Sequence, residues 1–125
     1  MIHHLDLPVG DLARSRAFYQ RALAPLGLAL VAEHDSANGE RVAGFGVLPD
    51  PVFWIRGGRA PLASLHFAFL AATRDAVHAF HRAGIEAGGR DNGAPGLRRY
   101  AENYYAAFVL DPDGHNIEAV CREPV

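Results

Sequence analysis

The chain has 125 residues, a formal net charge of −2 and 50% hydrophobic residues, the balance of one globular domain long enough to bury a core. No basic run is present, which excludes the usual footprint of a nucleic-acid or anionic-membrane partner, and no apolar run approaches the roughly 20 residues of a membrane span. The single cysteine, Cys121, excludes an internal disulfide framework; with no leader-like N-terminus, it predicts a cytoplasmic, reducing setting.

Ile2–Val9 alternates as a strand, with Leu5, Leu7 and Val9 on one face and Ile2, His4 and Asp6 on the other. Pro8 and Gly10 end it. Asp11 is a good N-cap, and Leu12, Phe18, Tyr19, Ala22, Leu23 and Leu26 form the apolar stripe of a helix that Pro25 and Gly27 stop. Strands are predicted over Leu28–His34, Arg41–Leu48 and Val52–Arg56, separated by the turns Ser36-Ala37-Asn38-Gly39 and Pro49-Asp50-Pro51. A connector, Gly57-Gly58-Arg59-Ala60-Pro61, follows. Leu65–Leu70 is again a strand, with Leu65, Phe67 and Phe69 opposite His66 and Ala68. Thr73 caps a second helix with the stripe Ala76, Val77, Phe80, Ala83 and Ala87, ended by Gly88-Gly89. Asp91–Leu97 is a polar Gly- and Pro-containing loop with room for a short strand.

The chain closes on a hairpin. The run Ala106–Leu110 is broken by Asp111-Pro112-Asp113-Gly114, in which Pro112 presets φ at the second turn position and Gly114 closes the fourth. In the returning strand, Asn116–Cys121, Ile117, Ala119 and Cys121 share one face and Asn116, Glu118 and Val120 the other. A carboxylate in so apolar a strand either stays solvated or needs a cation or a hydrogen-bond network.

This order is β-α-β-β-β twice. A shift of 62 places His4 on His66, the Asp11 cap on the Thr73 cap, Ala17-Phe18 on Ala79-Phe80 and Gly27 on Gly89. The expected fold is therefore α+β: two tandem βαβββ modules, 1–61 and 62–125, in one domain, forming a curved mixed sheet with a concave metal or ligand cup. The repeat makes His4 and His66 equivalent, each opposite an apolar face. With Glu118 from the last strand they make a two-His-one-carboxylate set suited to one divalent ion: Fe, Mn, Ni or Zn. His3, His34, His78, His81 and His115 lack such a counterpart; His78 and His81 read as helix-surface residues and His115 as part of the terminal turn.

The stretches I-H-H-L-D-L-P-V-G-D-L-A-R-S-R-A-F-Y, L-H-F-A-F with D-A-V-H-A-F-H, and F-V-L-D-P-D-G-H-N-I-E-A-V together resemble the vicinal oxygen chelate superfamily of glyoxalase I, bleomycin-resistance proteins and extradiol dioxygenases. The resemblance spans essentially the whole chain. It implies the same paired-module fold, with ligands at His4, His66 and Glu118 from the first and last strands of the modules. The chain departs from glyoxalase I at the last strand of the first module, Pro51-Val52-Phe53-Trp54-Ile55-Arg56, which has no carboxylate; Trp54 lies nearest the vacant position.

The resemblance implies a metal-dependent enzyme, glyoxalase-like lyase or extradiol-type dioxygenase, acting on a small oxygen-bearing substrate. Glu118 serves as ligand alone or also moves protons. Trp54, Tyr104 or Tyr105 walls the pocket, and the arginines Arg56, Arg98 and Arg99 either offer a partner to an anionic group or lie solvated in their loops. The alternative is a binding protein of the bleomycin-resistance kind, sequestering a planar ligand without chemistry. The one-sided coverage of each sheet and the aromatic set Phe45, Phe53, Trp54, Tyr104, Tyr105 and Phe108 predict a homodimer with its sites near the interface.

Overall fold

The computed structural model describes residues 1–37, 39–59 and 62–125. Asn38 of the expected first turn, and Ala60 and Pro61 of the expected connector and module boundary, lie outside the described residues.

The first module comprises β1 (Leu5–Pro8), α1 (Leu12–Leu23), β2 (Ala29–Asp35), β3 (Arg41–Val47) and β4 (Asp50–Arg56); the second comprises β5 (His66–Leu70), α2 (Arg74–Glu86), β6 (Arg90–Leu97), β7 (Tyr105–Leu110) and β8 (Asn116–Cys121). The expected curved sheet resolves into two four-stranded mixed sheets, ordered β1-β4-β3-β2 and β5-β8-β7-β6. In each, the first strand runs parallel to the last and the other pairs are antiparallel.

Both predicted caps form: Asp11 accepts from Arg14 N at 3.1 Å and Thr73 from Ala76 N at 3.0 Å. After α1 the chain takes one 3-10 turn, Ala24–Leu26, which Gly27 ends with φ 82°. Where α2 ends, the residue with positive φ is Gly88, at 102°; Gly89, which the repeat set against Gly27, instead packs so closely that an added Cβ would lie 2.6 Å from Val109 and 2.8 Å from Phe18. The Asp91–Leu97 loop is part of an eight-residue strand, β6, with register breaks at Asp91/Gly93 and Gly93/Gly96. These breaks are why its apolar alternation is illegible.

The register carries the repeat into three dimensions. Asp6 pairs with Trp54 and Trp54 with Gly44; Ala68 pairs with Glu118 and Glu118 with Phe108. Trp54 thus holds the position in the first sheet that Glu118 holds in the second.

One core joins the modules. Leu7, Phe45, Phe53 and Ile55 of the first sheet, Ala107, Val109, Ile117 and Ala119 of the second, and Phe18, Tyr19, Val77 and Phe80 of the helices form a single buried cluster. Phe53 meets Phe67 and Phe69 of β5, each at 5.4 Å between ring centroids. Alternation then sends Trp54, Arg56, His66 and Glu118 to the faces turned away from this core. Among the described residues, no helix is long and apolar enough to cross a membrane.

The turn between β7 and β8 does more than reverse the chain. Gly114 N donates to Asp111 O at 2.9 Å, closing the predicted turn. The Asp111 carboxylate accepts from the backbone N–H of Asp113 and of His115, each at 2.9 Å, and from the hydroxyl of Tyr19 on α1. Asp113 reaches the start of α1, accepting from Gly10 N at 3.3 Å and pairing with Arg14 at 3.2 Å. Beyond the Asp11 cap the first turn of α1 holds no acid, so Asp113 adds a second carboxylate at a helix N-terminus, which favours negative charge.

Candidate functional site

The second sheet carries a polar cluster on its outward face. Parallel pairing sets His66 opposite Asn116 and Ala68 opposite Glu118, so His66 and Glu118 are diagonal neighbours on one face. Glu118 is only 3% exposed, which rules out the solvated alternative. Its Oε1 lies 2.9 Å from His66 Nε2, and its Oε2 accepts from the Tyr104 hydroxyl at 2.5 Å. Both carboxylate oxygens are therefore satisfied, the condition for burying such a group. The bond to Glu118, then burial, push the Tyr104 hydroxyl up to about 12. Beside the cluster lies an open pocket of about 290 Å³, lined by His66, Asn92, Gly93, Arg98, Phe108 and Asn116.

The first sheet carries a different pocket. His4, Asp6, His34, Val42, Trp54 and Arg56 line about 160 Å³. The Trp54 ring lies edge-on to His34 at 5.3 Å between centroids and sits over Gly44, where an added Cβ would come within 2.8 Å of it. Arg56 is fully engaged: it pairs with Asp6 and, at 3.1 Å, with Glu40. Those two bonds, Asp6 first, hold its guanidinium still more firmly protonated.

Of the expected ligands, the structure brings together His66 and Glu118. His4 lies on the outward face of the first sheet, with Nδ1 2.9 Å from Nδ1 of His3, and lines the other pocket. Among the described residues no group of three His, Cys, Asp or Glu side chains is placed to hold a metal. The donor types at His66 and Glu118 suit a first-row divalent ion, and the expected third donor, His4, lies apart from them.

Of the expected pocket walls, Trp54 and Arg56 line the first pocket and Tyr104 touches Glu118. Tyr105 points to the other side of β7: its hydroxyl lies 2.6 Å from His78 Nε2 on α2, and Arg74 sits over its ring at 4.7 Å. Alternation along β7 separates the two neighbouring tyrosines. His81 lies 2.9 Å from Asp91, tying α2 to β6. His115, expected in the turn, is wholly buried and accepts the Leu65 N–H at Nδ1, 2.9 Å away. That bond fixes the start of β5 one residue before His66. Nothing in the spacing of His115 indicates it, because its partner lies 50 residues earlier.

Two βαβββ modules, with a half-exposed imidazole bonded to a buried carboxylate on the outward face of the second, define a glyoxalase-type fold. The model of the Glyoxalase/Bleomycin resistance protein/Dioxygenase superfamily matches residues 1–119, and the chain belongs to that superfamily. A glyoxalase/bleomycin resistance protein from Albidiferax ferrireducens is 30% identical, with a TM-score of 0.77 over 96% of this chain and 97% of that one. A glyoxalase I variant from Zea mays shares the fold at 21% identity and a TM-score of 0.74; the match covers 99% of this chain but 45% of the maize protein. A glyoxalase-related enzyme from Fulvimarina pelagi shares it at 19% identity and 0.72, over 97% and 87% of the two chains. Among curated proteins no match is found.

Proposed function

We propose that this chain is a cytoplasmic, divalent-metal-dependent enzyme acting on a small oxygen-bearing substrate, of the glyoxalase or dioxygenase type. The observation that supports this reading is the buried Glu118, held between His66 and Tyr104 beside an open pocket. His66 and Glu118 supply two ligands, and His4 of a second copy supplies the third, in a homodimer whose sites lie at the interface. Exposed apolar residues on the outward faces, Val52 and Leu70, favour such a contact. The bound ion would act as a Lewis acid toward two substrate oxygens. Tyr104 fixes Glu118 through Oε2 and leaves Oε1 as its ligating or proton-accepting oxygen, next to the His66 imidazole. Trp54 walls the other half of the cup.

Metal analysis of tag-free protein, purified without added metal, tests this reading. About one Fe, Mn, Ni or Zn per chain is expected, falling at least about tenfold in Glu118→Ala, which removes the anionic ligand. Mixing His4→Ala chains with Glu118→Ala chains should restore one intact site per dimer. Unchanged metal content in both variants sinks the ligand set, and failure of the mixture to recover any metal sinks the shared site. The Trp54–His34 edge contact in the first pocket favours the second reading, a ligand-sequestering protein without chemistry. Metal-free protein that still binds a planar ligand at Trp54 would support it.

A further inference from the structure

Three arginines were candidates for pairing an anionic group, and the structure separates them. Arg56 is neutralised by Asp6 and Glu40. Arg99 is exposed and lines neither the first pocket nor the second-sheet pocket. Arg98 lines the same pocket as His66 and has no carboxylate partner among the described residues. It is nevertheless held in place. Its Nη2 donates to Ala94 O at 2.7 Å, and its guanidinium lies over the Phe108 ring at 5.4 Å. Two glycines clear this seat: a Cβ on Gly93 would lie 2.7 Å from Phe108 and 3.3 Å from Arg98 Nη2, and a Cβ on Gly96 would lie 3.1 Å from Arg98 Nη1. The irregular register of β6 thus builds a fixed, unneutralised cation.

Asn116, opposite His66 in the sheet, also lines this pocket. A fixed, unneutralised cation on the wall of an open pocket calls for a ligand that carries a negative charge.

We infer that the second-sheet pocket binds small organic carboxylates, with Arg98 taking the carboxylate. Arg98 is the residue that selects anionic over neutral substrates. The inference rests on the reading of the His66–Glu118 face as the substrate site.

Calorimetric titration with 2-hydroxybenzoate and its neutral counterpart 2-hydroxybenzamide tests it, on protein before and after metal removal by chelation. In both states the carboxylate should bind about 10- to 100-fold more tightly, the value of one charge-assisted hydrogen-bonded pair. Arg98→Gln should bring the two ligands to near parity. Arg99→Gln, which removes the same charge one residue away, should keep the preference, and circular dichroism confirms that both variants fold. Equal loss in the two variants would reduce the effect to general electrostatics and overturn the assignment, as would no detectable binding of the carboxylate at millimolar concentration. A preference that needs metal and survives Arg98→Gln would place the carboxylate on the ion, overturning the Arg98 site while upholding the metal reading. Metal-free protein that keeps the Arg98-dependent preference upholds the inference even where the metal reading fails.

Discussion

The hydroxyl of Tyr19, on α1 of the first module, donates a hydrogen bond to the carboxylate of Asp111, in the last turn of the second, and both residues are buried. The Asp111 carboxylate also accepts two backbone N–H groups of its own turn. Tyr19→Phe keeps the ring in the core but removes one donor from a buried anion. A loss of about 1 to 3 kcal/mol is expected, read as a lower urea midpoint with unchanged slope. An unshifted midpoint would mean the bond contributes nothing net.

The same pair sets an alkaline limit. Burial, then the charge of Asp111, its hydrogen bond and the charge of Asp113, raise the Tyr19 hydroxyl well above an ordinary tyrosine. The unfolded chain loses this proton near pH 10, whereas the folded chain retains it. Above about pH 10 the folded state therefore binds more protons, and its stability falls as pH rises. Below that pH the group contributes no slope. Thermal melts from pH 8 to 11 should show a decline that Tyr19→Phe reduces. Part of it will persist, because Tyr104 is also raised, to about 12. An identical decline in wild type and Tyr19→Phe would rule this origin out.

Gly44→Ala tests the seat of Trp54. The added methyl would come within 2.9 Å of both the indole and the Pro51 side chain, so the ring must move. Overpacking of this kind costs about 1 to 3 kcal/mol. The chain has one tryptophan, so its fluorescence reports the displacement directly: a shifted emission maximum is expected, and an unchanged spectrum would show that the indole is not packed on β3.

The duplication, both helix caps and the terminal hairpin were legible in the sequence because each rests on local chemistry: a cap side chain, a Pro-Asp-Gly turn, alternation along one strand. That Trp54 lies nearest the vacant carboxylate position came from the family resemblance, and the equivalence of Trp54 with Glu118 came only with the pairing Asp6–Trp54 alongside Ala68–Glu118. The strand β6 was obscured because its irregular register destroys the alternation that reveals strands. Arg98 stood level with Arg56 and Arg99 in the letters; only the acids folded against Arg56, and the glycines beneath Arg98, distinguish them. Tyr104 and Tyr105 stand side by side in the letters, yet they face opposite sides, as strand alternation requires of neighbours. The wholly buried state of His115 depends on a partner strand 50 residues away, which no local pattern encodes.

The reach of Asp113 back to Gly10 and Arg14 has a consequence for how the protein is made. A ribosome releases the chain from its N-terminus, so α1 emerges long before the turn that completes it. Until residues 111–115 leave the exit tunnel, Tyr19 has no carboxylate to meet and the start of α1 has only its Asp11 cap. The first half is thus committed to waiting for residues 111–115. A chain arrested or cleaved before Asp111 would leave that half unfinished, exposed to proteases and to the hydrophobic encounters that precede aggregation.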